Sequence, residues 1–179
     1  GVRAVFTALL DYLRVEKTEI EFSANSRIVD TGGPKGGRTL SDPGFLRASW
    51  EHFGIPGYYC INEYGMTELS SQYYDNVLER RFAGSNDKRR KSAPPWLRSV
   101  AVDPDTLEVL PDGESGLLRH VDLANALSLM AIQTEDLGIV NGNLLQLRGR
   151  LPGAEPRGCA LALAHLLDTA ESAPKPPSN

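Results

Sequence analysis

The chain has 179 residues, 41% hydrophobic and 23% charged, a balance that excludes collagenous, heavily disordered and strongly basic proteins. Lys and Arg number 19 against 23 Asp and Glu, and a net charge of -4 offers no global field for nucleic acid or an anionic membrane. Cys60 and Cys159 are too few for a disulfide framework, and neither a leader nor a spanning apolar stretch is visible, so a cytoplasmic setting is expected.

The chain opens at Gly1 without Met and runs straight into Val2, Val5, Phe6, Leu9, Leu10 and Leu13 at helical spacing. The expectation is a helix whose apolar face needs partners, in a chain that is a fragment with part of its core upstream. Ile28 and Val29 then form a short β-prone run that stops at TGGPKGG, a strand followed by a glycine turn. Ser41-Asp42-Pro43 starts a second helix, with Phe45, Leu46, Trp50 and Phe53 on its core face and Gly54 as its stop. A strand from Tyr58 to Ile61 delivers the chain into NEYGMTELSSQYYD, a polar turn at the end of a strand, where α/β folds carry function. Cys60 inside that strand reads as a packed thiol.

Residues 80–98 are basic and broken by proline, and read as an exposed loop. Solvated surface is the ordinary meaning of such a run, and anion binding is the alternative. Val100 to Val102, Leu107 to Leu110 and Leu117 to Val121, separated by DPDT and PDGESG, form a β-meander, and further strands occupy Ile139 to Leu147. A last helix, ALALAHLLDTAE, precedes a proline-rich tail expected to be disordered. The organisation expected is residues 1–79 as an α/β half-domain, 80–98 as the loop, 99–170 as a β-rich subdomain ending in a helix, and 171–179 as the tail. The fold class is α/β, a mixed sheet with flanking helices plus the meander.

Tyr64-Gly65-Met66-Thr67-Glu68 is the segment richest in chemistry. An aromatic ring can stack on a base, glycine admits a close backbone approach, a hydroxyl can reach phosphate, and a carboxylate can hold Mg2+. A strand-to-helix turn with an incidental cap would use the same residues. The pentapeptide resembles the Tyr-Gly-x-Thr-Glu motif of the adenylate-forming superfamily. Thr31-Gly32-Gly33 upstream looks like the glycine turn bordering that superfamily's adenine pocket. Thr134-Glu135-Asp136-Leu137-Gly138 is similar to its Thr-Gly-Asp-Leu motif, with Glu135 in place of glycine, and Gly149-Arg150 matches the Gly-Arg that follows. TGGPKGG also looks like the superfamily's phosphate loop, but it lies only about thirty residues before Tyr64, too close for that loop.

The wording from Tyr58 to Asp75, with RGRLPGAEPRGC, is most similar to the LuxE-type acyl-protein synthetases, over roughly Ser26 to Ala170. The resemblance implies an ATP-dependent enzyme that forms a fatty acyl-adenylate, captures the acyl group as a thioester and passes it to a partner acyl reductase. It implies ATP and Mg2+ as cofactors, with Gly32, Gly33, Tyr64, Gly65, Asp136 and Arg150 around the nucleotide. Thr67 would serve the phosphate, Glu68 the metal, and Cys159 would be the acyl acceptor; nearby Arg150 and Arg157 favour its thiolate. Only about thirty residues follow Arg150, too few for the mobile domain of a CoA ligase, and this favours protein acylation. The competing readings are a truncated, inactive remnant of the nucleotide pocket, and a related ligase for another carboxylic acid. His52, His120 and His165 have no metal spacing and read as surface or satisfied core. Tyr73 and Tyr74 could line an acyl pocket or simply pack.

Overall fold

A computed structural model describes residues 1–32 and 40–154. The described chain divides into two units, one built from residues 1–26, 30–32 and 40–57, the other from residues 27–29 and 58–154.

In the first unit α1 (Arg3–Glu16) ends where Lys17 turns left-handed and its N–H bonds the Leu13 carbonyl. Its buried stripe is Arg3, Thr7, Leu10 and Leu13, whereas Val5 and Leu9 are exposed. The stripe is rotated from the apolar one the sequence suggests because Arg3 is the inward residue of the first turn. Its Nε lies 2.5 Å from Asp30 Oδ2, its Nη1 lies 2.9 Å from Asp42 Oδ1, and its guanidinium stacks on Phe45. A buried cation is tolerable only with such partners.

The second helix, α2 (Asp42–Phe53), has the expected early proline and stops at Gly54, which adopts φ 63° and bonds back to the Trp50 carbonyl. Phe45, Ala48, Ser49 and Phe53 are its buried residues. Trp50, expected in the core, is 59% exposed. At 3.6 residues per turn it stands about 100° beyond Ser49, whose hydroxyl is satisfied by the Phe45 carbonyl and can therefore be buried.

The second unit holds the sheet, which β1 (Ile28–Thr31) enters through Ile28 and Val29. Its other strands are β2 (Cys60–Tyr64), β3 (Tyr73–Asp75), β4 (Lys91–Ser92), β5 (Leu97–Val102), β6 (Ser115–Asp122), β7 (Ala131–Asn141) and β8 (Leu144–Arg150). Their order is β1-β2-β3-β4-β8-β7-β6-β5, and the pairings from β2 to β5 are antiparallel. The α/β class and the mixed sheet agree with the sequence expectation, and the sheet has eight strands. Leu118, Tyr73, Leu145, Val140, Leu97, Ala101 and Leu69 form the core of this unit. Gly116 is required by close approach, since a Cβ there would lie 2.4 Å from the Val102 carbonyl oxygen.

Two segments depart from expectation. Leu107 to Leu110 yields only an isolated Val109 bridge to Val102, because Asp103 accepts from the Asp105 and Thr106 amides and holds a tight turn instead. Residues 80–98 are not one exposed loop: α3 (Val77–Phe82) extends into them, β4 lies within them, and Lys91 is buried. The cause is Asp75 on the neighbouring strand, which draws Lys91 Nζ to 2.9 Å and Arg89 Nη1 to 2.7 Å. Cys60 is buried in β2, as expected.

Candidate functional site

The ends of β2 and β8 meet the middle of β7. Registry places Asp136 directly across from Arg150, next to a bulge at Leu137/Gly138, a device that re-aims side chains beside functional sites. Arg150 Nη1 lies 3.5 Å from Asp136 Oδ1, and its Nη2 donates to Glu135 Oε2 at 2.7 Å. Glu135, which departs from the glycine of the resembling motif, thus takes one arm of the arginine fork. Arg150 Nε is out of water and has no hydrogen-bond partner. The Tyr64 hydroxyl donates to Asp136 Oδ2 at 2.8 Å, joining residues 72 positions apart.

Behind this carboxylate stands a buried polar relay. His120 Nε2 is 3.3 Å from the Tyr64 hydroxyl, while its Nδ1 is 2.7 Å from Ser99 Oγ and 3.0 Å from the Tyr73 hydroxyl. The Tyr73 and Ser99 hydroxyls also bond each other. An ionised Asp136 can only accept, so Tyr64 spends its proton there and His120 donates from Nε2, leaving Nδ1 as acceptor. Burial lowers the His120 pKa to about 4, against a smaller opposing pull from Asp136, and the imidazole is neutral at pH 7. Burial, seconded by Asp136, pushes the Tyr64 phenol up, and burial pushes Tyr73 up to about 12. Both phenols therefore keep their protons.

A second anchor fixes the turn after Tyr64. Fully buried Asp122 accepts from the Ser70 and Ser71 amides at 3.0 and 2.8 Å and from the Ser71 hydroxyl at 2.9 Å. Asn125 donates to the Glu68 carbonyl at 2.8 Å, and Trp96 Nε1 donates to Ser71 Oγ. Within the turn the Thr67 hydroxyl donates to Glu68 Oε2 at 3.0 Å, and both residues are exposed. A Cβ on Gly65 would lie 2.5 Å from Glu63 Oε1.

Of the sequence-derived candidates, Tyr64, Asp136 and Arg150 come together, and Gly65 adjoins them. Thr67 and Glu68 pair with each other. Gly32 follows β1 in the smaller unit with φ 78°. Gly33, Cys159 and His165 lie outside the described residues. Tyr73 is buried in the relay, whereas Tyr74 is 45% exposed. Asp122 is the residue that sequence reasoning passed over, and His120, read there as surface or satisfied core, is a buried and hydrogen-bonded member of the relay. Their signal was parity: both share the inward phase of β6 with Leu118, and a polar residue on a buried face needs a partner. Among the described residues no helix is long and apolar enough to cross a membrane.

A family model described as acyl-protein synthetase, LuxE, matches residues 15–168. The chain is 27% identical over 167 residues to a long-chain-fatty-acid–luciferin-component ligase of Aliivibrio fischeri, covering 86% of this chain and 42% of that protein. It is 31% identical over 84 residues to the protein of the same name from Vibrio harveyi, covering 43% of this chain and 22% of that one. The chain thus spans less than half the length of these relatives. Among solved structures, it is similar to the adenylation domain of a keto acid-selecting NRPS module bound to keto acyl adenylate (TM-score 0.57, 15% identity, 84% of this chain and 34% of that one). It is also similar to McyG A-PCP complexed with phenylalanyl-adenylate (TM-score 0.56, 19% identity, 84% and 29%). At these identities the likeness is one of fold.

Proposed function

The chain belongs to the LuxE acyl-protein synthetase family, and from that premise we propose that it holds the nucleotide in an ATP-dependent fatty-acid ligase that works through an acyl-adenylate. The observation that carries this reading is the meeting of Tyr64, Asp136 and Arg150. A carboxylate has about four acceptor positions, and Tyr64 with Arg150 leaves Asp136 room for the two ribose hydroxyls. Tyr64, its hydroxyl committed to Asp136, offers its ring to the base. The orphaned Arg150 Nε needs an acceptor, and a nucleotide oxygen supplies one. Gly32, Gly33 and Gly65 are assigned to the backbone around the base.

When bound, ATP would supply the adenylyl group that a fatty carboxylate takes up as a mixed anhydride, the bond between the α- and β-phosphates breaking with release of pyrophosphate. Thr67 would donate its hydroxyl to a phosphate oxygen, which requires it to leave Glu68 Oε2. Glu68 would then be free to hold Mg2+, a hard cation for which one or two carboxylates suffice beside phosphate and water oxygens. Cys159 is assigned as the acyl acceptor: its thiolate attacks the acyl carbonyl, forms a thioester and releases AMP, and a partner acyl reductase takes the acyl group onward. A cytoplasmic setting belongs to the same proposal.

The test is AMP binding measured by calorimetry. Asp136→Asn is expected to weaken it by a factor of about ten to a hundred, the loss of hydrogen bonds to a charged acceptor, and unchanged affinity would refute the assignment. In the full reaction, ATP and radiolabelled fatty acid should leave a hydroxylamine-labile label that Cys159→Ser abolishes.

A further inference from the structure

The basic stretch that follows the nucleotide motif plays no part in the function proposed above, yet it builds a cavity of its own. A space of about 250 Å³ is lined by Tyr58, Val77, Arg80, Arg81, Ser85 and Arg89. Three guanidinium groups on one small cavity, in a chain of net charge -4, require a reason. Arg89 has one: its Nη1 donates to Asp75 Oδ2 and to the Cys60 carbonyl. Arg80 and Arg81 do not share it. No ion pair joins either of them to a carboxylate among the described residues, and Arg80 Nε is out of water without a hydrogen-bond acceptor.

Capping α3 does not account for them either. Both lie in its last turn, where cations are favourable, but the carbonyls there already have backbone donors. Ala83 N bonds Glu79 O, Ser85 N bonds Arg80 O, and Gly84 N bonds Arg81 O. Arg81 is spread over the Tyr58 ring at 5.2 Å, which holds its position while leaving its donors for a ligand. The Ser85 hydroxyl is turned to Asp87 Oδ2, and the charged donors among the lining residues are the arginines.

We propose that this cavity is an anion site for a phosphate group, either free or carried as a small phosphomonoester. Two uncompensated guanidinium charges match a dianion, and the planar fork of Arg suits the oxygens of phosphate. The volume lies below the roughly 300 Å³ at which drug-sized ligand pockets begin, so the ligand is the phosphate with at most a small substituent. An acceptor oxygen on Arg80 Nε would remove the cost of its unmade hydrogen bond.

The test is titration of the 179-residue chain with inorganic phosphate, phenyl phosphate and acetate at constant ionic strength. It is followed by the NMR signals of Arg80 Nε–H and the Ser85 and Arg89 amides. Saturable shifts with both phosphates are expected, with acetate weaker by about tenfold or more. Tighter binding of phenyl phosphate than of inorganic phosphate assigns the site to an ester, and equal affinity assigns it to the free ion. Arg80→Gln and the exposed Arg81→Gln should each raise Kd by about tenfold, with thermal unfolding close to that of the parent chain. Absence of saturation, affinity unchanged in both variants, or acetate binding as tight as phosphate would overturn the proposal.

Discussion

Acidification should weaken the fold through His120, and His120→Gln should remove that share of the loss. The imidazole is fully buried, holding Tyr64 through Nε2 and accepting at Nδ1 from the Ser99 and Tyr73 hydroxyl pair, one of which donates to the ring and the other to its fellow hydroxyl. Its pKa is lowered to about 4, chiefly by burial, from an ordinary value of 6.5 in the unfolded chain. Between those values the unfolded state takes up a proton that the folded state refuses. The contribution to stability is therefore complete above about pH 6.5 and falls as pH drops, by at most about 1.4 kcal/mol per unit and about 3 kcal/mol in all by pH 4. That is a large part of a total stability on the order of 5–15 kcal/mol. Urea unfolding of both proteins from pH 7 to pH 4 isolates the effect, because the carboxylates titrate in each and cancel in the difference. The variant should be less stable at pH 7, by about 1–3 kcal/mol for unmade buried hydrogen bonds, with the shallower decline. Parallel curves, or a His120 ring signal that titrates near 6.5, would refute the reasoning.

Other outcomes follow from the same geometry. Asp75→Asn leaves buried Lys91 and its neighbour Arg89 without their countercharge and should cost about 3 kcal/mol in urea unfolding; a loss under about 1 kcal/mol would count against the ion pairs as structural. Gly116→Ala drives a Cβ into the Val102 backbone and should lower stability by about 1–3 kcal/mol, whereas Gly65→Ala meets the movable end of Glu63 and should cost less than about 1 kcal/mol. Thermal melts of the two variants read that contrast directly.

What local pattern can encode was legible in the sequence. Pro43 and Gly54 bounded α2 because a fixed φ and a left-handed turn are properties of single residues. Short β-prone runs and turn glycines located β5, β6 and strands within residues 139–147, although β7 begins as early as Ala131, and the order of short motifs pointed to Tyr64, Asp136 and Arg150 before any contact among them was known. Apolar periodicity was less complete. It placed Trp50 and Leu9 on helices but not on the correct side, since a pattern names a face and not the neighbour that covers it. Only the tertiary structure decided that Arg3 turns inward to Asp30, that Lys91 leaves a basic run for Asp75, and that His120 stands behind Tyr64. These pairings join residues 16 to 56 positions apart. Burying a polar group becomes favourable only once its partner has been brought within about 3 Å, and that distance is set by strand order and register rather than by either residue's own neighbours.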